Sequence, residues 1–371
     1  MKKKKILFYF GHPAQYLFLR NTILTLQKNN DLIILIKTKD VLEDLIKKDG
    51  IPYKNILKKR RRNSRFSIFL SLIIRIFKIG GITLIQKPSM LISQDASTAF
   101  VGKILFKKTI CITEDDFEVL KPLSNITYPV VDTILCPVVC NVGKYDFKKV
   151  GYEGYMKLGH LHPEVFRPDK TILTKYKLPE KYALIRLSQL NAYHDKNIEG
   201  LNNEILKEII ETIEQKGINV LISSENLMIN EGFENFMLKI HPADMHHILC
   251  FAQLLISDSQ SMSVEASILG VPSIRYSSFV GRISVLEELE HKYKLTFGVQ
   301  IDEKNKIFEL LDIILNEESS PDLYLTRRNK MLEEKINVTA FLNWFLELYP
   351  ESNAIMLKNP DYQLRFISQS E

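Results

Sequence analysis

The stretch LLISDSQSMSVEASILGVPSI, residues 254–274, places one carboxylate, Glu265, inside a string of small polar and apolar residues. An apolar run, then Ser257, Ser259, Ser261 and Ser263, then an apolar segment closed by Gly270 and Pro272, reads as strand, loop and short helix. The open backbone N–H groups at such a helix start, with hydroxyls around them and the positive end of the macrodipole, suit a phosphate or diphosphate. A carboxylate one turn into the helix suits a different partner, a ribose diol, from which it accepts two hydrogen bonds. A capping box pairs a Ser or Thr N-cap with Glu three residues later. Here Met262 stands three residues before Glu265 and Val264 three after Ser261, so the register is wrong. A solvated surface glutamate is the other reading.

Two further loops carry candidate groups. In FYFGHPAQY a strand runs into a helix, with Gly11 allowing a close turn and His12 at the strand's end. An imidazole there either serves as a base or caps the helix. Asp95, opening a helix after LIS, has an N-cap as its plainest role. HPADMHHI, residues 241–248, offers His241, Met245, His246 and His247. Adjacent His246 and His247 diverge by about 100°, which argues against a helical metal pair, so no metal is assigned. Contact with a base or sugar from this helix, through His241 and Met245, is the expectation.

The elements that must position these residues alternate strand and helix twice. The first series runs through KILFYF, LIILIK, SMLISQ and KTICIT; the second starts near Tyr182 with YALIRLS, NVLISS, LLIS and PSIRY. Such alternation predicts an α/β chain of two doubly wound, Rossmann-like lobes facing across a cleft, with ligand at the C-terminal strand ends. Pro163, Pro168 and Pro179 mark the connection, giving lobes over 1–165 and 166–345, a closing helix VTAFLNWFLELYP, and a tail over 346–371. The length of 371 residues agrees with two cores.

Hydrophobic residues make up 45% and charged ones 25% of the chain, a globular composition. The net charge of +6 is concentrated in KKKK near the start and KKRRRNSR, residues 58–65. The second run leads straight into FSIFLSLIIRIFKI, so an anionic membrane surface fits better than nucleic acid. A core-facing helix behind a solvated loop is the alternative. The apolar segment Phe66 to Ile79 is shorter than the roughly 20 residues a spanning helix needs. Four cysteines without a metal or disulfide pattern predict buried thiols in a reducing cytosol.

SDSQSMSVEASILGVPSI resembles, without a gap, the nucleotide-binding segment of the non-hydrolysing UDP-GlcNAc 2-epimerases, with Asp258, Ser259, Glu265, Ala266, Gly270 and Pro272 matching. The whole chain resembles domain-of-unknown-function family 354, a GT-B-like group of surface-polysaccharide biosynthesis, through GHPAQYLFLRNTI, GYEGYMKLGHLHPEVFRPD, HPADMHHILCFAQLLI and VLEELEHKYKL. SQDAST resembles the epimerase Gly-Asp-Thr turn, which implies an acid/base role for Asp95. ITEDDFE resembles their His-x-Glu-Ala-Gly segment, which implies the same for Glu114. AYHDKN matches their His-Arg-Arg-Glu-Asn motif in part and aligns His194 with a phosphate-side histidine. Two glycines of the epimerase loop are Gln260 and Ser261 here, and their first Gly-Thr-Arg-Pro-Glu is GHPAQ, which sets His12 where related glycosyltransferases often carry a histidine.

The resemblance implies a cytoplasmic GT-B enzyme, on the inner membrane face if it associates with one, that takes a UDP-sugar as substrate without further cofactor. Ser259, Gln260, Ser261 and Met262 would lie along the diphosphate, Arg282 or His194 would offset its charge, and His12, Asp95 and Glu114 would face the reacting sugar. The expected partners are the nucleotide sugar, a glycan or lipid-linked acceptor, and a membrane surface meeting Lys58–Ile79. Glycosyl transfer is the leading expectation, 2-epimerisation the second, and a non-catalytic nucleotide-sugar binder the third.

Overall fold

The computed structural model describes residues 3–39, 41–58, 65–187, 201–224, 232–316 and 321–368. The chain forms two compact units, Met1–Val165 with Lys335–Glu371, and Phe166–Glu334.

The first unit is built on seven parallel strands: β1 (Lys5–Phe10), β2 (Asp31–Lys37), β3 (Lys54–Leu57), β4 (Met90–Ile92), β5 (Lys108–Ile112), β6 (Thr133–Pro137) and β7 (Lys149–Tyr152). Their order is β3-β2-β1-β4-β5-β6-β7. β1 pairs with β2 and β4, so Phe8 lies between Ile34 and Ile92. Ile6 through Phe10 are wholly buried. An unbroken apolar run of that kind is what a parallel strand covered on both faces requires. Strand order reverses direction between β1 and β4, the place where doubly wound sheets bind ligands.

The second unit holds five parallel strands, β8 (Tyr182–Leu187), β9 (Asn219–Ser224), β10 (Leu254–Ser257), β11 (Ser273–Tyr276) and β12 (Thr296–Val299), in the order β12-β11-β10-β8-β9. Its reversal falls between β8 and β10. The Asn203–Gln215 helix, capped by the Asn202 side chain on the Ile205 N–H at 2.9 Å, buries Ile205, Ile209 and Ile213 against this sheet.

Two expectations are corrected. Residues 335–345 do not belong to the second lobe, and 346–371 is not a tail apart from the lobes. From residue 335 to 368 the chain packs on the first unit, because Phe341 and Phe345 on the Val338–Glu347 helix are fully buried and Phe341 sits 6.1 Å from Tyr152. The Tyr349 hydroxyl then meets Thr133 Oγ1 at 3.0 Å. The second correction concerns the apolar helix, which runs from Arg65 to Gln86 rather than stopping at Ile79. Gly80 and Gly81 do not break it, since helix packing against neighbours outweighs the roughly 1 kcal/mol that each glycine costs. The most apolar 18 residues within Ser67–Gln86 have a mean hydropathy of 2.1, so by length and composition alone the helix is apolar enough to cross a membrane.

Cys111, Cys136 and Cys140 are buried thiols and Cys250 is half-buried; none is paired.

Candidate functional site

In the first unit the C-terminal ends of β1, β4 and β5 carry the candidate acid/base residues. His12 follows β1 in extended backbone (φ −151°, ψ 145°) and caps the Pro13–Leu26 helix, its Nδ1 accepting the Ala14 N–H at 3.2 Å. A neutral ring that accepts at Nδ1 carries its proton on Nε2, which makes that atom a donor. Gly11 has a positional reason: an added Cβ would lie 3.2 Å from Lys37 Cε. Lys37 thus brings an ammonium to the mouth of this turn.

A chain of amides joins the three strand ends. The Gly11 N–H donates to Gln15 Oε1 (2.9 Å), Gln15 Nε2 to Gln94 Oε1 (2.6 Å), and Gln94 Nε2 to Thr113 Oγ1 (3.3 Å). Beside Gln94, Asp95 caps the Ala96–Ile104 helix: its Oδ1 accepts the Ser97 N–H (3.0 Å) and hydroxyl (2.6 Å), and pairs with Arg75 Nε at 3.2 Å. Glu114 accepts the Met156 N–H and forms a buried ion pair with Lys157 at 3.0 Å. Asp116 accepts the Asn141 N–H at 2.6 Å. Asp95 and Glu114 are thus each held in place by a cation and a backbone N–H.

Asp115, which sequence reasoning passed over, differs. Burial, and secondarily the charge of Glu114, hold its carboxyl above the usual range, while Lys157 and a hydrogen bond from Gln94 oppose that only in part. A carboxyl shifted upward at the end of a parallel sheet is the property an acid/base group needs. Three acidic residues in a row were visible in TEDDF; which of them burial would shift upward was not.

In the second unit the strand ends of β8 and β10 are stitched by Ser257, whose hydroxyl donates to the Arg186 carbonyl (3.0 Å) and accepts the Ser259 N–H (2.8 Å). Ser259 is the N-cap of the Gln260–Leu269 helix, yet its hydroxyl makes no capping bond, and Gly270 ends the helix at φ 79°. The first-turn N–H groups of Gln260, Ser261 and Met262 have no intrahelical acceptor by virtue of their position. Gln260 Oε1 accepts from buried Arg275 at 3.5 Å, and Arg275 in turn pairs with Glu290. Met262 is buried in the core, so only its backbone is available to the loop.

Glu265 is 6% exposed. Its Oε1 accepts from the Ser261 hydroxyl at 3.5 Å and its Oε2 lies 3.3 Å from His246 Nε2. The carboxylate is neither a cap nor a solvated surface group. His246, not singled out as a binding residue from sequence, is what orients it. His247 points elsewhere, its ring 4.9 Å from Phe166 and its Nδ1 accepting the Asp169 N–H at 3.1 Å. His241 is exposed and caps a turn through Ala243 N–H (3.2 Å), while half-buried Met245 opens the Met245–Cys250 helix. Arg282 is exposed with its guanidinium 5.3 Å over the Phe279 ring. His194 lies outside the described residues.

Two parallel sheets, each reversing at a point where candidate groups collect, define an α/β protein of the GT-B-like class with two Rossmann-like lobes. It is similar in structure to a UDP-GlcNAc 2-epimerase from Neisseria meningitidis bound to UDP-GlcNAc, at a TM-score of 0.66 and 14% identity, covering 96% of this chain and 100% of that one. It is also similar to the UDP-GlcNAc 2-epimerase of Methanocaldococcus jannaschii (TM-score 0.63, 17% identity, 85% and 94% covered). The spinosyn forosaminyltransferase SpnP shares the fold at a TM-score of 0.60 and 11% identity, with 93% and 99% covered. No curated protein matches the sequence. The chain belongs to the family described as protein of unknown function (DUF354), whose model matches residues 13–318.

Proposed function

We propose that the protein is a nucleotide-sugar enzyme of GT-B type that transfers a glycosyl group from a UDP-sugar to a glycan or lipid-linked acceptor in surface-polysaccharide assembly on the cytoplasmic side. The observation that carries this is Glu265. A buried carboxylate, one turn into a helix at the strand reversal and fixed by Ser261 and His246, is a preformed acceptor for a ribose diol. The adjoining N–H groups and hydroxyls at Ser259 to Met262 suit the diphosphate. His12, with Nδ1 engaged by its cap, meets the sugar as a donor, and Asp115 takes the proton-transfer role that the held carboxylates Asp95 and Glu114 are less free to perform. No further cofactor is needed for this chemistry.

The second reading, 2-epimerisation, draws support from the structural likeness to epimerases at the level of fold. The two separate on one incubation. With UDP-GlcNAc alone an epimerase yields UDP-ManNAc, whereas a transferase leaves the donor intact until an acceptor is added. A non-catalytic binder would show stabilisation by UDP and no turnover with any pair. The central claim is checked by titration calorimetry with UDP, UDP-GlcNAc and ADP; absence of heat and of thermal stabilisation with every nucleotide overturns it.

A further inference from the structure

The Arg65–Gln86 helix has two unlike faces. Arg75, Ile79 and Thr83, spaced by four, are buried. Arg75 pairs with Asp95 and donates to Ser71 Oγ at 2.7 Å, and Lys78 Nζ donates to the Ile56 carbonyl at 2.7 Å. These contacts fix the helix to the first unit. The opposite stripe, Leu70, Ile74, Phe77 and Leu84, follows spacings of four, three and seven, and with Phe69 and Ile85 it stands in solvent, Phe77 being 75% and Ile85 77% exposed. The neighbouring Ala96–Ile104 helix packs on this one and is followed by Phe106, 95% exposed. Soluble monomers rarely leave such an apolar stripe uncovered.

Charge identifies what covers it. Between Gly50 and Gln94 the sequence holds ten lysines and arginines and no acidic residue; Lys58, Lys59, Arg60, Arg61, Arg62 and Arg65 directly precede or open the helix, and Lys87 follows it. A second copy docked on this stripe would bring two such segments together. An anionic bilayer instead attracts each basic residue by about 1 kcal/mol near its surface. Crossing the bilayer would tear the buried Arg75–Asp95 pair and Ile79 out of the unit, so the helix lies in the plane of the interface.

We propose that the Arg65–Gln86 helix is a monotopic membrane-binding surface, its outer face seated among the acyl chains of an anionic leaflet. Because Arg75 on its inner face holds Asp95, this helix sets the lipid surface beside the strand ends at which a lipid-linked acceptor would react.

Flotation of the full chain with vesicles tests this. Vesicles of phosphatidylcholine with phosphatidylglycerol should carry the protein, phosphatidylcholine alone should carry little, and added salt should weaken the binding. Phe77→Ser with Ile85→Ser alters only exposed positions, leaves UDP binding and melting temperature unchanged, and lowers vesicle affinity about ten-fold or more. Replacing Lys58 to Arg62 by glutamine abolishes the preference for the anionic lipid. No flotation with anionic vesicles, or flotation that both variants leave unchanged, overturns the proposal. So does light scattering that finds a dimer which Phe77→Ser with Ile85→Ser turns into a monomer, since a second copy would then be the occupant. UDP binding in every variant keeps this outcome separate from that of the nucleotide-sugar reading.

Discussion

The two sheets end in edges of different chemical character. At the first, Asp95, Glu114, Asp115 and Asp116 gather where β4 and β5 stop, and three of them are held by Arg75, Lys157 and a backbone N–H. Asp115 is the one whose carboxyl burial shifts upward. At the second edge Glu265 meets the Ser261 hydroxyl and the His246 imidazole, on the helix that opens at Gln260. A group that moves protons must have an affinity displaced toward the working pH, whereas a group that binds must be a fixed acceptor. The first edge is therefore suited to chemistry and the second to holding a ligand.

The largest effect is expected at Asp115. Asp115→Asn removes the displaced acid and should lower kcat about a hundred-fold, with the Kd for UDP unchanged. The same variant has a stability signature with a definite sign. The folded carboxyl binds its proton more tightly than the unfolded one, so its contribution is fully present below the ordinary value near 4 and is lost as pH rises through the raised one. At pH 7 the buried carboxyl therefore weakens the fold relative to an amide, and Asp115→Asn should raise Tm there, with the gain vanishing on acidification below about pH 4. A variant with unchanged kcat would move the chemistry away from this residue; a Tm gain that persists in acid would deny the shift.

At the second edge the pattern inverts. Glu265→Gln keeps the shape but loses the charged acceptor, and hydrogen bonds to a charged group are worth about 1.5–3 kcal/mol. UDP should bind about 30-fold more weakly by calorimetry, while kcat at saturating substrate changes little. If Glu265→Gln instead depresses kcat and leaves Kd alone, the division between the two edges fails.

Much of this was legible in the sequence because parallel strands buried on both faces read as continuous apolar runs: ILFYF, LIILIK, YALIRL and LLIS all became strands. Less visible were β6, β7 and the helices Pro321–Glu334 and Glu351–Lys358 on either side of the closing one, where partners lie far along the chain, as Thr133 does for Tyr349. The loop before Glu265 and its failure as a capping box were readable from register alone. Partners were not. That Lys157 holds Glu114, that His246 orients Glu265 and that Asp115 is the carboxyl shifted upward are facts of three-dimensional proximity that no spacing encodes. The helix end at Gln86 was missed because glycine pairs usually punctuate helices, and here packing prevails.

The smallest effect concerns His12, and it turns on a repeated device. Three His-Pro pairs each place the histidine Nδ1 as acceptor for the N–H two residues on: His12 to Ala14, His162 to Glu164 at 3.3 Å, and His241 to Ala243. Proline at the first helical position removes a donor that has no partner, and the imidazole satisfies the next one. Since this arrangement recurs away from the β1 edge, capping by itself says nothing of catalysis at His12. Asparagine is a good cap, so His12→Asn and His241→Asn should each keep stability within about 0.5 kcal/mol in a chemical melt. Only His12→Asn should then lower kcat, by about ten-fold, through loss of the Nε2 donor at the β1 edge. Equal activity of the two variants would reduce His12 to a cap and leave Asp115 to carry the chemistry of the first edge.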